Sequence, residues 1–257
     1  MLLNLKEGIL YGPVNSRRLG KSLGVNLMPW RYKLCSFNCV YCHFGWTDKH
    51  LTRIRDDDYA IPKFNDVLIA IERALTSDLV FSYITFSGNG EPTLYHDFYR
   101  LIEEIKGLRD RLRPDLKIAL LSNSSNISSI DVQRSIKMID LPMFKLDAGL
   151  EDTFHKINYP AEGISFSGII ENLKRVGDRI IIQTILMDGE PNNTSSEELQ
   201  AYYEHIKEIK PKEVNIYSID RPVPEKKLMK VSPDRLTQIA SEGYKRAGVV
   251  FKAFYIK

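Results

Sequence analysis

Leu34-Cys35-Ser36-Phe37-Asn38-Cys39-Val40-Tyr41-Cys42 holds all three cysteines of the chain, spaced C-x3-C-x2-C with an aromatic residue directly before the last. Three thiolates this close, with no fourth cysteine elsewhere, cannot complete an all-cysteine iron–sulfur site or an all-cysteine structural zinc site. They can build a cubane with one iron left open to an outside ligand. Two other readings compete. The cysteines could be small buried hydrophobes, or three ligands of a zinc whose fourth is His43. Adjacent residues such as Cys42 and His43 rarely both reach one tetrahedral metal, and the aromatic has no purpose in a zinc ribbon.

Outward from this loop, short β-branched runs alternate with longer amphipathic ones, the signal of a parallel α/β architecture. Strands are expected at 22–27, 83–87, 117–122, 143–147, 180–186 and 213–219, with a last one at 249–255. Between them lie helical faces such as Val67, Ile71 and Leu75, or Phe98, Leu101, Ile102 and Ile105. A weaker helix is expected over 127–139, and the face of Phe166, Ile169, Ile170, Leu173 and Val176 ends at Gly177. Thr194 and Glu197 read as a capping box for the next helix, and Ser232-Pro233 opens one that ends at Gly248. Six strand–helix units and a terminal strand are two units short of a closed eight-fold barrel. The expected fold is therefore α/β, a partial (β/α)6 TIM-like barrel, with one domain over 1–257. Its core covers about 22–219, preceded by a short N-terminal segment and followed by a helix and strand in 220–257.

With 43% hydrophobic and 27% charged residues over 257 positions, the chain has the composition of a globular protein. No apolar run approaches the roughly 20 residues that span a bilayer, and the first residues lack the order of a signal peptide. An odd, clustered set of cysteines argues against an oxidising compartment. A cytoplasmic location without a membrane partner is the expectation. The net charge of +3 permits a nucleic-acid or acidic partner without requiring one.

In a parallel barrel the working face lies at the C-terminal strand ends, and polar or glycine-rich residues gather there. Gly88-Asn89-Gly90-Glu91 follows the second strand, and Ser122-Asn123-Ser124 the third. Lys145 and Asp147 end the fourth, Gln183 and Thr184 lie on the fifth, and Asn215, Tyr217 and Ser218 on the sixth. A glycine turn by itself serves any strand-to-helix connection. Strand alternation puts Lys145 and Asp147 on one face, where they either meet a ligand together or pair with each other at the rim. Arg17, Arg18 and Lys21, with Arg31 and Lys33, either receive a phosphate-bearing substrate or RNA or form a solvated basic segment. Asp56–Asp58 reads as a solvated loop, and 221–225 as a stiff turn beside the working face. His50, His96, His155 and His205 are expected to be surface or core residues rather than ligands.

Cys35-x3-Cys39-x2-Cys42, with Tyr41 before the third cysteine, resembles the signature of the radical S-adenosylmethionine (SAM) superfamily. Ser87-Gly88-Asn89-Gly90-Glu91-Pro92 resembles that superfamily's Gly-Gly-Glu motif. The opening stretch over 12–20 and the phrase over 85–94 resemble iron–sulfur oxidoreductases related to wyosine-base (tRNA) synthases, although the extra cysteines of those synthases are absent. The resemblance implies a barrel of the radical SAM type and a [4Fe–4S] cluster on Cys35, Cys39 and Cys42, with SAM chelating the fourth iron. It implies that an electron from the cluster cleaves SAM to methionine and a 5′-deoxyadenosyl radical, which abstracts hydrogen from a substrate. SAM contacts are implied for Tyr41 near the adenine and for Gly88, Asn89, Gly90 and Glu91 around the ammonium. They are also implied for Asn123, Lys145, Asp147 and Gln183, with Lys145 suited to the carboxylate and Asp147 to the ribose. The implied partner is a reductant such as flavodoxin or ferredoxin, and the basic entry segment favours an RNA or nucleotide substrate. Two alternatives stay open: an activase of a glycyl-radical enzyme, acting on a partner protein, and a non-catalytic iron–sulfur redox module.

Overall fold

Seven apolar runs that alternate with amphipathic stretches become the parallel strands of one sheet and the helices that cover it. The computed structural model describes residues 2–16, 18–54 and 60–255. Its elements are β1 (Leu10–Ser16), β2 (Gly20–Val25), β3 (Leu34–Cys35), β4 (Lys49–His50), α1 (Phe64–Leu75), β5 (Tyr83–Phe86), α2 (Phe98–Leu112), β6 (Lys117–Ser122) and α3 (Ile130–Ile136). They continue as β7 (Leu141–Lys145), α4 (Glu151–Asn158), α5 (Phe166–Val176), β8 (Ile181–Gly189), α6 (Ser196–Ile209), β9 (Glu213–Ser218), β10 (Leu228–Lys230), α7 (Pro233–Ala247) and β11 (Phe251–Phe254). Arg17 and Asp56–Asp58 lie outside the described residues.

The strand order is β1-β2-β5-β6-β7-β8-β9-β11. Every pair from β2 to β11 is parallel, while β1 lies antiparallel on β2 and β10 antiparallel on β8. Because β1 and β11 stand at opposite ends of that order, the sheet of the described residues does not close on itself. This is the expected α/β fold, a partial TIM-like barrel.

Two apolar layers hold it. On the strands, Ile84, Phe86, Ile118, Leu120, Phe144, Ile182, Val214 and Ile216 are fully buried. Val67 and Ile71 of α1, Leu101 and Ile105 of α2, Leu173 of α5, Ile206 of α6 and Leu236 of α7 are buried in the same core. Each such side chain contributes roughly 1.5–3 kcal/mol through the apolar area removed from water. The alternate strand positions Ala119, Met143 and Ile181 join Leu19 in a separate small cluster. Further along the same face the register places Lys145, Gln183 and Asn215 on one rung, so that face turns polar toward the C-terminal strand ends.

Four local features differ from the sequence reading. β1 contains Gly12-Pro13, which interrupts a strand pattern; an edge strand tolerates the proline, and the register shifts between Tyr11 and Val14. The helix expected over 127–139 is shorter, opening after Ser129 once Ile127 N–H has closed a turn on the Ser124 carbonyl. The cap of α6 is Ser195, whose hydroxyl accepts from Glu198 N–H; the Thr194 hydroxyl bonds Asp188 instead. α4, unread in the sequence, buries only Phe154, Ile157 and Asn158, too few positions to stand out as a periodic face. No helix among the described residues is long and apolar enough to cross a membrane.

Candidate functional site

The cysteine loop leaves the end of β2 and is pinned from three directions. At its base, β3 pairs with β4, and Thr47 ties back to Asn38 Oδ1 (2.7 Å) and the Phe37 carbonyl (2.8 Å). On one flank, α4 ends with carbonyls that have no partner inside the helix. The Asn158 carbonyl accepts from Asn38 N–H and the Ile157 carbonyl from Val40 N–H, both at 3.0 Å. Phe37 packs edge-on against Phe154 of the same helix. On the other flank, Leu34 N–H donates to the Asn89 carbonyl, and a Cβ on Gly90 would sit 1.6 Å from the Leu34 carbonyl oxygen. Only glycine allows that approach.

Cys35 and Cys39 are buried and Cys42 is half-buried. Asn123 Nδ2 lies 3.5 Å from Cys35 Sγ, and Asn158 Nδ2 lies 3.5 Å from Cys39 Sγ. Burial pushes the Cys35 thiol up to about 12 and the Cys39 thiol up to about 11. Lys33, 3% exposed, donates from Nζ to the Gly45 carbonyl at 2.8 Å. Burial works against its charge, yet Cys42, Cys35 and Cys39 around it raise its pKa above the ordinary value. The loop therefore encloses three sulfurs, amide donors aimed at two of them and one buried cation. Such a set fits an anionic thiolate-bound cluster. Among the described residues no three His, Cys, Asp or Glu side chains converge on a single metal-ion position. A cubane, by contrast, takes each sulfur at a different corner.

The glycine-rich loop binds chiefly to the protein itself. Asn89 Oδ1 accepts from Lys6 N–H (2.7 Å), while Nδ2 donates to the Lys6 (2.9 Å) and Pro29 (2.8 Å) carbonyls. Gly88 sits at a φ of +132°, with Asn26 Oδ1 2.6 Å from where a Cβ would be. Glu91, 1% exposed, accepts from Thr93 N–H and hydroxyl, Ser122 Oγ (2.9 Å) and Asn123 N–H (2.6 Å). Burial still pushes its carboxyl above the usual carboxylate range, against the pull of these donors. The carboxylate locks the end of β6, and so places Asn123 against Cys35.

Tyr41, Lys145 and Asp147 do come together. Asp147 Oδ2 accepts from the Tyr41 hydroxyl and from Asn158 Nδ2 (3.1 Å). Its Oδ1 accepts from Ile185 N–H (3.0 Å) and pairs with Lys145 Nζ (3.0 Å). Lys145 also donates to the Tyr217 hydroxyl (3.1 Å), and Arg18 stacks over the Tyr217 ring at 4.4 Å. Burial lowers the Lys145 pKa, but Asp147 and Tyr217 outweigh it and raise the ammonium above its ordinary value. Gln183 is buried and donates to Met143 Sδ, and Asn215 beside it on the rung keeps a buried Oδ1 without a hydrogen-bond partner.

Sequence reasoning missed two participants and misplaced a third. Asn158 bridges Cys39, Tyr41 and Asp147 from a helix with little sequence signal. Asn26 clamps the segments around the glycine loop. Lys33, grouped by sequence with a surface basic segment, points into the cysteine loop instead. Of the other histidines, His50 meets the Ser36 carbonyl and His205 that of Gly149, while His96 and His155 lie near acidic neighbours.

A family model described as the Radical SAM superfamily matches residues 31–202. The UPF0026 protein MJ1312 of Methanocaldococcus jannaschii is 32% identical over 237 residues, 90% of this chain and 70% of that protein. A UPF0026 protein of Helicobacter pylori is 33% identical, with 83% of this chain and 67% of the relative covered. A Brachyspira hyodysenteriae protein called GTPase Obg is 33% identical over 84% of this chain, which spans 31% of that protein's length. Among solved structures, a radical SAM methyltransferase from Sphaerobacter thermophilus superposes with a TM-score of 0.65 at 14% identity, over 91% of this chain and 66% of that one. Streptococcus suis SuiB bound to S-adenosylmethionine gives 0.60 at 16% identity, over 90% and 50%. At such identities the likeness is one of fold.

Proposed function

The chain belongs to the radical SAM superfamily and to the UPF0026 proteins, and we propose that it is an enzyme that uses SAM to abstract hydrogen from an RNA or nucleotide substrate. The observation that carries this reading is the setting of the thiols: Asn123 and Asn158 amides against Cys35 and Cys39, and the buried Lys33 ammonium beside all three. When bound, a [4Fe–4S] cluster supplies the electron that splits SAM into methionine and a 5′-deoxyadenosyl radical. Cys35, Cys39 and Cys42 would hold it, and Lys33 would offset part of its negative charge. A reductant such as flavodoxin or ferredoxin fills the role of donor.

The residues assigned to SAM are Tyr41, Gly88, Asn89, Gly90, Glu91, Asn123, Lys145, Asp147 and Gln183. Asn89, Glu91 and Asp147 already carry several protein hydrogen bonds each, so their part is to fix the cofactor's walls. Lys145 and the unpartnered oxygen of the neighbouring Asn215 offer charge and polarity on the face toward which the strand ends open. The N-terminal strand and the C-terminal helix and strand join this barrel as one radical SAM domain, and the protein acts in the cytoplasm. An RNA or nucleotide substrate is favoured by the basic residues of the entry segment, among them Arg17, Arg18 and Lys21.

Anaerobic reconstitution with iron and sulfide, followed by SAM and dithionite, tests the reading. Release of 5′-deoxyadenosine, lost together with the cluster in Cys39→Ala, is the expected result. A reconstituted protein that binds a cluster whose spectrum ignores SAM, and that releases no 5′-deoxyadenosine, would be a redox module instead. Binding of tRNA that weakens steeply with salt marks an RNA substrate, whereas a tight, salt-insensitive complex with a partner protein marks the activase reading.

A further inference from the structure

We propose that the seam between the two ends of the sheet is a binding site for a phosphate group of the substrate, held by Arg18 and Arg221; this rests on the radical SAM reading above. β1 and β11 end the strand order without pairing to each other among the described residues. A cavity of about 250 Å³ lies there, walled by β1, β9 and β11 and by His43, which directly follows Cys42. Its charged lining is Arg18, Arg221 and Asp220.

The charges do not cancel. Among the described residues no carboxylate lies within ion-pair distance of Arg18 or Arg221, whereas Asp220 is 5% exposed and pairs with Lys230 at 3.3 Å. Burial raises the Tyr217 phenol, but Lys145 and Arg18 overcome it and bring the group below its ordinary value. The pocket thus presents two guanidinium groups that have no carboxylate partner among the described residues.

Arg18 is also held in a specific pose. Its guanidinium face covers the Tyr217 ring at 4.4 Å, which leaves its N–H edges as the remaining binding surface. One of its nitrogens, Nη1, is buried without any hydrogen-bond partner, and an unpaired buried donor is costly. Guanidinium edges match the oxygens of a tetrahedral oxyanion. Two of them match a phosphate better than a single carboxylate, which would leave one charge unanswered. The volume admits a phosphate with the sugar next to it and leaves the rest of a larger substrate outside. Tyr217 then links the anion to Lys145, Lys145 to Asp147, and Asp147 to Tyr41, so a continuous line of side-chain contacts joins the phosphate site to the cysteine loop.

Calorimetric titration of the reconstituted protein with ribose 5-phosphate is the test, with ribose and acetate as controls. Binding of ribose 5-phosphate, but of neither control, is expected. Removing one charged hydrogen-bonding partner should weaken it roughly tenfold to a hundredfold in Arg18→Ala and in Arg221→Ala, with Arg18→Lys between. Arg221 is exposed, so its variant keeps the test open if Arg18→Ala fails to fold. The proposal is overturned if the wild type does not bind ribose 5-phosphate, if Arg221→Ala binds it as tightly as the wild type, or if acetate competes equally. Release of 5′-deoxyadenosine by the same wild-type batch is measured alongside. Its loss with phosphate binding intact sinks the enzyme reading alone; the reverse pattern sinks the seam site alone.

Discussion

At Gly90 a missing side chain decides whether the cysteine loop can exist. The bridge between Leu34 and Gly90 brings two backbones so close that a Cβ would lie 1.6 Å from the Leu34 oxygen. Nothing flexible can yield there, because the obstacle is main chain. Gly90→Ala is expected to cost about 3 kcal/mol or more, read as a lower urea midpoint, and to reduce the iron bound after reconstitution. A variant with wild-type midpoint and iron content would contradict this close approach. Lys33 acts at the same scale through charge. Cluster potential depends on nearby net charge, and Lys33→Met removes a buried cation from beside three sulfur ligands. The reduction potential should fall by about 60 mV, equivalent to about 1.4 kcal/mol for one electron. An electron paramagnetic resonance redox titration reads it, and an unchanged potential would place the ammonium's influence elsewhere.

The elements differ in how plainly they could be read from sequence. Parallel strands with both faces covered, such as β5 to β9, are continuous apolar runs with polar ends, and the helices between them show clean faces such as that of α5. Local chemistry specified them, and they formed within about three residues of the expected bounds. The cysteine triplet stood out as a motif, because its spacing is itself a geometric constraint. α4 was not: eight residues with three buried positions give a weak pattern, and its importance lies in long-range contacts. Asn158 at its end meets residues 39, 41 and 147, which no local signal connects. Lys33 was obscured in another way, since a lysine beside Arg31 reads as surface charge until the loop folds around it. Asn158→Ala should destabilise the protein by about 1–3 kcal/mol, the cost of leaving buried acceptors unpaired. It should also alter the visible spectrum of the reconstituted cluster through the lost donor to Cys39. Chemical denaturation and absorption spectra check the two halves separately; if neither moves, α4 serves only as packing.

At the scale of the whole molecule, the sheet that fails to close places its most concentrated polar chain just inside the opening. Arg18 stacks on Tyr217, Tyr217 accepts from Lys145, and Lys145 pairs with Asp147, which also binds Tyr41 and Asn158. These residues come from β7 and the segment after it, β9, the cysteine loop, α4 and the segment after β1, so the chain of contacts joins the segment after β1 to β9, and β9 to β7, which do not pair directly with one another in the sheet. Its central ion pair makes stability depend on pH in a definite direction. The Lys145 pKa is raised in the folded protein above its ordinary 10.5. A group of this kind contributes fully below the unfolded-state value and loses its contribution as pH rises through the folded one. The cluster-free wild type should therefore lose stability progressively above about pH 10.5. Other buried groups also titrate in that window, including Lys33 and the thiols of Cys35 and Cys39, so the slope of the wild type alone does not isolate the pair. Lys145→Met does. The variant is less stable at pH 8, because Asp147 loses its cation, but it lacks one proton-linked component of the alkaline slope. Thermal midpoints of both proteins between pH 8 and pH 12 should converge as pH rises, and parallel curves would mean that the pair's charge contributes nothing to holding the opening together.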